Sequence, residues 1–273
     1  MEPISNTQAT FHVAPSWLAE ASPSSAVRVK NVSMKEIPRI SVLIPAYNEC
    51  NLISSTIDSV NNSFMALSWQ SYEILVCDNN STDQTSEIAQ TKGVKIIFEP
   101  HNQIAKARNT AAQHAQGEWL IFLDADSCLN PEVLKLAIQK LESRQVCGGG
   151  ALLKFDGKVG WAVNVMSVIW NWASPKLGLA GGAFLFCIRD AWQEVNGFDE
   201  KLYAAEDVSF SRRLKKWGRQ KGMKFIIITE AAITTSSRKL DWHGQWRIIL
   251  QLILIGLPGA LKSRKRTKLW YER

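Results

Sequence analysis

Two carboxylates one residue apart, Asp124 and Asp126, close the apolar run Trp119-Leu120-Ile121-Phe122-Leu123. A short unbroken apolar stretch predicts a strand buried on both faces of a parallel sheet. Acids at its carboxyl end then stand where open α/β sheets bind their ligands. Uncompensated, the two charges repel each other and resist burial. A divalent cation removes both difficulties, because hard carboxylate oxygens suit Mg²⁺ or Mn²⁺. Taken alone, Asp-Ala-Asp-Ser is equally well a solvated turn that caps the following helix. One helix upstream, Ala105-Lys106-Ala107-Arg108-Asn109 opens a helical pattern with two cations. A solvated helix face would account for them, but the position of Arg108 just before the acidic pair points to use in the site.

Elements of two kinds must position these residues. Ile40–Ile44, Tyr72–Cys77, Val94–Phe98 and Trp119–Leu123 are short apolar strand candidates, separated by helical patterns at 52–60, 85–92 and 104–115. Strands alternating with helices imply βαβ units and a mostly parallel central sheet flanked by helices, an α/β fold. Pro45 ends the first strand, since it has no N–H to donate. Beyond the second strand lies the polar run Asp78-Asn79-Asn80-Ser81-Thr82-Asp83. Helix capping accounts for Ser81, Thr82 and Asp83, and leaves Asp78 free to meet a base or ribose. Asn130-Pro131-Glu132 reads as an N-cap with proline at the first helical position.

The second half is less regular. Glycines at 147–150 and 178–182 read as breakers around an apolar segment bearing Trp161, Trp170 and Trp172. A strand at 183–188, a helix over 207–217 ended by Gly218, and a strand at 225–229 follow. Core packing is the expected use of most of the tryptophans, Trp192 included, with sugar-ring platforms as the other use.

The chain has 273 residues, 46% of them hydrophobic, and a formal charge of +7. Six bases between Lys262 and Arg273 against Glu272 supply +5 of that, so the rest is nearly neutral. This argues against a nucleic-acid-binding surface. The five cysteines are scattered, without Cys-x-x-Cys spacing, and suggest neither a zinc site nor a disulfide framework. Residues 1–38 lack periodicity and read as a poorly ordered extension without the marks of a secretory leader. Residues 39–245 form the expected catalytic domain.

The successive motifs Ile40–Glu49, Cys77–Asp83, Ala107-Arg108-Asn109, Leu123–Asp126, Asn196-Gly197-Phe198-Asp199-Glu200 and Glu206-Asp207 resemble those of family 2 glycosyltransferases. Arg213 and Gly218 follow at the family's usual distances. Each motif alone is loose; six in order are specific. The resemblance implies the glycosyltransferase-A fold, a nucleotide-sugar donor (a UDP-sugar favoured), Mn²⁺ or Mg²⁺, and inversion at the anomeric carbon. By position it implies that Pro45, Ala46, Tyr47 and Glu49 line the base pocket and that Asp78 contacts the base. Arg108 and Asp124 would serve the donor, and Asp126 the metal on the diphosphate. Asn79 and Asn80 stand where the family often has an acid and a glycine, which leaves the nucleobase open.

The helix dipole favours acids in a first turn, and that alone explains Glu206 and Asp207. The resemblance implies more, with Asp207 as general base, Glu206 as its supporting neighbour, and Gly181-Gly182 as the acceptor-side loop. A sugar hydroxyl needs such a base during attack. The motif Gln-x-x-Arg-Trp of processive members is missing; Gln245-Trp246-Arg247 has different spacing. Transfer of one sugar to a glycan or lipid-linked hydroxyl is therefore expected. A nucleotidyltransferase and a non-catalytic nucleotide-sugar-binding protein are the alternatives.

In the closing segment, 246–273, the apolar stretch from Ile248 to Ala260 is shorter than the roughly 20 residues a spanning helix needs. The basic run follows at once. A helix lying on an anionic membrane surface and a helix packed on the domain fit equally well. The expected location is cytoplasmic, with peripheral contact to the inner face of a membrane.

Overall fold

The computed structural model describes residues 37–238. The extension expected over 1–38, apart from its last two residues, and the closing segment 246–273 lie outside that range. The elements are β1 (Ile40–Ala46), α1 (Ile53–Ala66), β2 (Tyr72–Asp78), α2 (Thr85–Thr91), β3 (Lys95–Phe98), α3 (Ile104–His114), β4 (Trp119–Leu123) and β5 (Ser127–Cys128). They continue as α4 (Pro131–Glu142), β6 (Val146–Phe155), α5 (Trp161–Leu177), β7 (Phe184–Ile188), α6 (Arg189–Glu194), α7 (Glu206–Gln220) and β8 (Lys224–Thr235).

One eight-stranded sheet runs β3-β2-β1-β4-β7-β6-β8-β5. Its first half is parallel, as the βαβ pattern predicts. From β4 onward it is mixed, with β7 antiparallel to both β4 and β6, and β6 parallel to β8. Alternation along β1 divides the core. Ile40, Val42 and Ile44 face α1 and α4 on one side, while Leu43 joins the alanines of α3 and Phe210 and Leu214 of α7 on the other. Strands buried on both faces need the unbroken apolar runs read in the sequence.

Several expectations change, and Gly218, expected to end its helix, lies inside α7, which runs on to Gln220. Gly148, Gly149 and Gly150 do not break the chain but lie inside β6. A Cβ on Gly149 would stand 2.2 Å from the Ile226 carbonyl oxygen, and one on Gly150 2.4 Å from the Ala180 Cβ, so close packing demands glycine there. The last strand extends to Thr235 because its register jumps at Ala151/Leu152, where the pairing passes from Ile228 to Ala232. Trp161 and Trp172 are 72% and 63% exposed and thus not core, because α5 turns them outward; Trp192 is buried. The Asn130 cap holds as read, its side chain accepting from the Val133 N–H at 2.9 Å.

Candidate active site

Arg108 is the centre of the site. It projects from the first turns of α3 and is 1% exposed. Nη1 donates to Glu206 Oε1 at 2.7 Å; Nη2 donates to Asp124 Oδ1 at 2.8 Å and to the Gly182 carbonyl at 3.1 Å. One planar guanidinium thus ties the end of β4, the loop before β7 and the start of α7, a fork that lysine cannot supply. Its guanidinium also lies 5.2 Å from the Phe198 ring centre. Burial works against the charge, but Asp124, Glu206 and Asp207 more than offset it and raise the Arg108 pKa. Arg108 therefore stands behind the acids and holds them.

Glu206 and Asp207 form the first turn of α7, entered through Ala205 in the left-handed region (φ 57°). Glu206 is buried and Asp207 half-buried. Burial pushes both carboxyls up, and Asp207 adds to the rise of Glu206; Arg108 acts in the opposite direction on each. Asp207 Oδ1 accepts from the Val208 N–H at 2.7 Å. Gly182 sits against both groups: a Cβ there would stand 2.6 Å from Arg108 Nη2 and 3.3 Å from Asp207 Oδ2. Gly181 instead packs toward Leu153 and Trp170.

The loop that delivers the acid pair is clamped by α3. Asn109 Nδ2 donates to the Phe198 carbonyl and to Glu200 Oε1, both at 2.9 Å, and Asn109 Oδ1 accepts from the Phe198 N–H at 2.8 Å. Gly197, at φ 57°, leaves room for that amide; a Cβ would meet Asn109 Oδ1 at 2.4 Å. Gln103 Nε2 donates to the Glu200 and Leu202 carbonyls. Arg213 Nη1 donates to the Val195 carbonyl just before this loop. Phe198 stacks on Phe210 with ring centres 4.2 Å apart and meets the edge of Phe122 at 4.9 Å, which joins the loop to α7 and β4. Asn109 and Gln103 carried no role in the sequence reading. Only the place of Asn109 beside Arg108 signalled it.

The first-half residues gather at the carboxyl ends of β1 and β2. Pro45 and Ala46 pair with Cys77 and Asp78. Asp78 is buried and its Oδ1 accepts from the Ser81 N–H at 3.0 Å. Tyr47 is half-buried. Glu49 is buried and bonded to Arg238 at the far end of the described chain. Asn79 is buried and braces the next loop, donating to the Glu99 and His101 carbonyls. Asn80 has φ 64°, so it fills the left-handed position that a glycine would otherwise take. Capping of α2 differs from expectation: Gln84 is its N-cap, Asp83 accepts from the Thr85 N–H, and Ser81 accepts from the Asn48 N–H.

Asp126 is buried three residues beyond β4, in a turn held by α1, where Thr56 Oγ1 donates to the Ala125 carbonyl at 2.8 Å. Among the described residues no group of three or more His, Cys, Asp or Glu is arranged to hold a metal ion by itself. Asp124 pairs with Arg108, and Asp126 brings a second hard carboxylate to the same strand end. Mg²⁺-type ions take one or two carboxylates and complete their shell with substrate phosphates and water. The donor set fits a metal that arrives with a diphosphate.

A sequence model of the family described as Glycosyl transferase family 2 matches residues 41–181. The chain belongs to this family. It is 27% identical over 226 residues to the chondroitin synthase of Pasteurella multocida (strain Pm70), covering 78% of this chain and 23% of that protein. It thus spans about a quarter of that relative's length. Over 147 residues it is 27% identical to the Escherichia coli UDP-Glc:alpha-D-GlcNAc-diphosphoundecaprenol beta-1,3-glucosyltransferase WfgD, covering 51% of this chain and 56% of WfgD. In fold it is similar to the mannosyltransferase PcManGT from Pyrobaculum calidifontis, solved with GDP-Man and Mn²⁺. The TM-score is 0.63 at 21% identity, over 86% of this chain and 65% of that one. The architecture is the glycosyltransferase-A fold, as the motif order implied.

Proposed function

We propose that the chain transfers a single sugar, with inversion, from a nucleotide-sugar donor to a hydroxyl of a glycan or lipid-linked acceptor. The observation that carries this is the Arg108 fork, which ties Glu206, the neighbour of Asp207, and the Gly182 carbonyl to Asp124 at the acidic strand end. Asp207 takes the proton of the acceptor hydroxyl as its oxygen attacks the anomeric carbon. The bond from that carbon to the nucleoside diphosphate breaks on the opposite side, so one displacement inverts the centre. Arg108 and Glu206 are positioning residues that hold the base from behind. Pro45, Ala46, Tyr47, Glu49 and Asp78 would form the nucleotide side, with Asp124 toward the ribose or donor. Asp126 would hold Mn²⁺ or Mg²⁺, which when bound would neutralise charge on the departing diphosphate. The metal in the structural neighbour PcManGT supports this. The lipid diphosphate in the name of WfgD supports a lipid-linked acceptor, and with it cytoplasmic placement at the inner face of a membrane. A UDP-sugar is the favoured donor.

A nucleotidyltransferase would need a glycine-rich phosphate loop after β1. Pro45–Glu49 is not one, and Glu49 is engaged by Arg238. A non-catalytic binding protein would not need a half-buried carboxylate held opposite the acidic strand end. A screen of nucleotide-sugars with Mn²⁺ or Mg²⁺, read as nucleoside diphosphate release with glycan and lipid-linked acceptors, tests the reading. Asp126→Ala should keep the fold and abolish metal-dependent binding of the nucleoside diphosphate in calorimetry. Affinity unchanged by EDTA and by the substitution would remove the metal from the scheme.

A further inference from the structure

Helices resting on a domain turn their apolar stripe inward, and α5 does the reverse. Its inner face carries Ser174, buried with Oγ donating to the Leu179 carbonyl, and Asn171, which bonds both the N–H and the carbonyl of Leu153. Its outer face carries Trp161, Val165, Val168, Ile169 and Trp172, all exposed. Spaced i, i+4, i+7, i+8 and i+11, they form one stripe along three turns. Seven of the ten large hydrophobic residues exposed among the described residues belong to this one helix, so the exposure is a patch and not scatter.

The patch continues into positive charge. Lys176 ends the stripe with its Nζ 3.7 Å from the centre of the Trp172 ring. Next to it, Leu177 lines a groove with Arg212, Lys215, Lys216 and Arg219 of α7. Lys215 Nζ donates to the Leu177 carbonyl at 2.7 Å, which fastens the two helices together there. No acidic residue occurs within α5 or between Val208 and Lys221. Tryptophans and aliphatic side chains bordered by unopposed cations suit the boundary between acyl chains and anionic headgroups.

The placement also bears on the chemistry. Four residues beyond α5 the chain enters Gly181-Gly182, and Gly182 touches both Arg108 and Asp207. We propose that α5 and the adjoining basic row of α7 are a docking surface for an anionic phospholipid bilayer, which presents a lipid-borne acceptor to the Gly181-Gly182 loop and Asp207. The acceptor part of this rests on the glycosyltransferase reading above. The docking surface lies within the folded domain and does not depend on residues 246–273.

Vesicle flotation of the full chain tests it, with phosphatidylcholine vesicles with and without phosphatidylglycerol. Wild type should float with the anionic vesicles. The combined variant Trp161→Gln, Val168→Gln, Trp172→Gln should lower the bound fraction roughly tenfold or more. Lys216→Gln with Arg219→Gln should weaken binding to anionic vesicles and reduce its salt sensitivity. Brominated phosphatidylglycerol should quench wild-type tryptophan fluorescence, and less so in Trp161→Phe with Trp172→Phe. An α5 variant that floats like wild type overturns the proposal and leaves any membrane contact to the C-terminal segment. A wild-type dimer that the α5 variant returns to monomer in sedimentation also overturns it, and gives the face to a second copy. Calorimetry of a nucleoside diphosphate with Mn²⁺, without vesicles, reports separately on the donor site. Every α5 and α7 variant should bind as wild type does there, and failure of wild type to bind would count against the glycosyltransferase reading alone.

Discussion

At the residue scale the site is a problem in keeping three carboxylates close together and still useful. Asp124, Glu206 and Asp207 share one guanidinium, and removal of water raises the pKa of both Glu206 and Asp207. A carboxylate with a raised pKa is a stronger base than a solvated one, which suits removal of a hydroxyl proton. Asp207→Asn is nearly isosteric and keeps one oxygen to accept from the Val208 N–H. Transfer is expected to fall by about two to four orders of magnitude while donor binding stays near wild type. Steady-state kinetics beside calorimetry would check it. Near-normal turnover would reduce Asp207 to an acid that favours a helix start.

At the element scale, chemistry is assembled by packing between segments far apart in sequence, which decides what was legible beforehand. The four strands, their parallel pairing and the acids at their ends follow from apolar runs alternating with helical patterns, whereas the order in which the strands lie side by side was not read. The partners of Arg108 were not readable. Its contacts lie 16, 74 and 98 residues away, and one-dimensional spacing carries no trace of them. Glycines misled for a related reason. Gly148 to Gly150 look like breakers, yet they are strand residues whose missing Cβ atoms admit β7, β8 and Ala180. The tryptophans of α5 misled as well, because an apolar side chain does not say whether its helix turns it inward. The loop before β7 gives the matching prediction. Arg108 is pinned at both Nη atoms and cannot yield to a Cβ at 2.6 Å, so Gly182→Ala should displace it and cost about 1–3 kcal/mol of stability. Turnover should drop with little change in donor affinity. Gly181→Ala meets the Leu153 methyl at 3.3 Å and the Trp170 ring at 3.7 Å and should be much milder. Urea unfolding and kinetics on the two variants would show the ordering, and equal effects would mean that the Gly182 contact is not tight in solution.

For the whole molecule, the buried acid pair makes folding itself depend on pH. Burial, then the neighbouring Asp207, push Glu206 from 4.5 up to about 7, so the folded state holds this proton more tightly than the unfolded chain. Stability from this source is complete below the unfolded value and is lost as pH rises through about 7. Asp207 shifts in the same direction, and the two titrate as a pair. Asp83 and Glu99 act oppositely. Hydrogen bonds hold their pKa values down despite burial, so their contribution is present above their unfolded values of 3.8 and 4.5 and disappears as pH falls. The two effects therefore occupy different ranges, and between about pH 5 and 7 the Glu206–Asp207 pair should set the slope. Each pKa unit corresponds to about 1.4 kcal/mol, and sharing within the pair makes a decline of about 1–3 kcal/mol across that range reasonable. Glu206→Gln cannot take up this proton. Its stability should be lower overall, because Arg108 loses one of its carboxylates, but its profile should be markedly flatter across the same interval. Urea unfolding at a series of pH values gives both slopes, and the slope, unlike the absolute level, is insensitive to the lost ion pair. Parallel profiles for wild type and variant would mean that Glu206 stays ionised in the folded protein, with Arg108 fully compensating its burial.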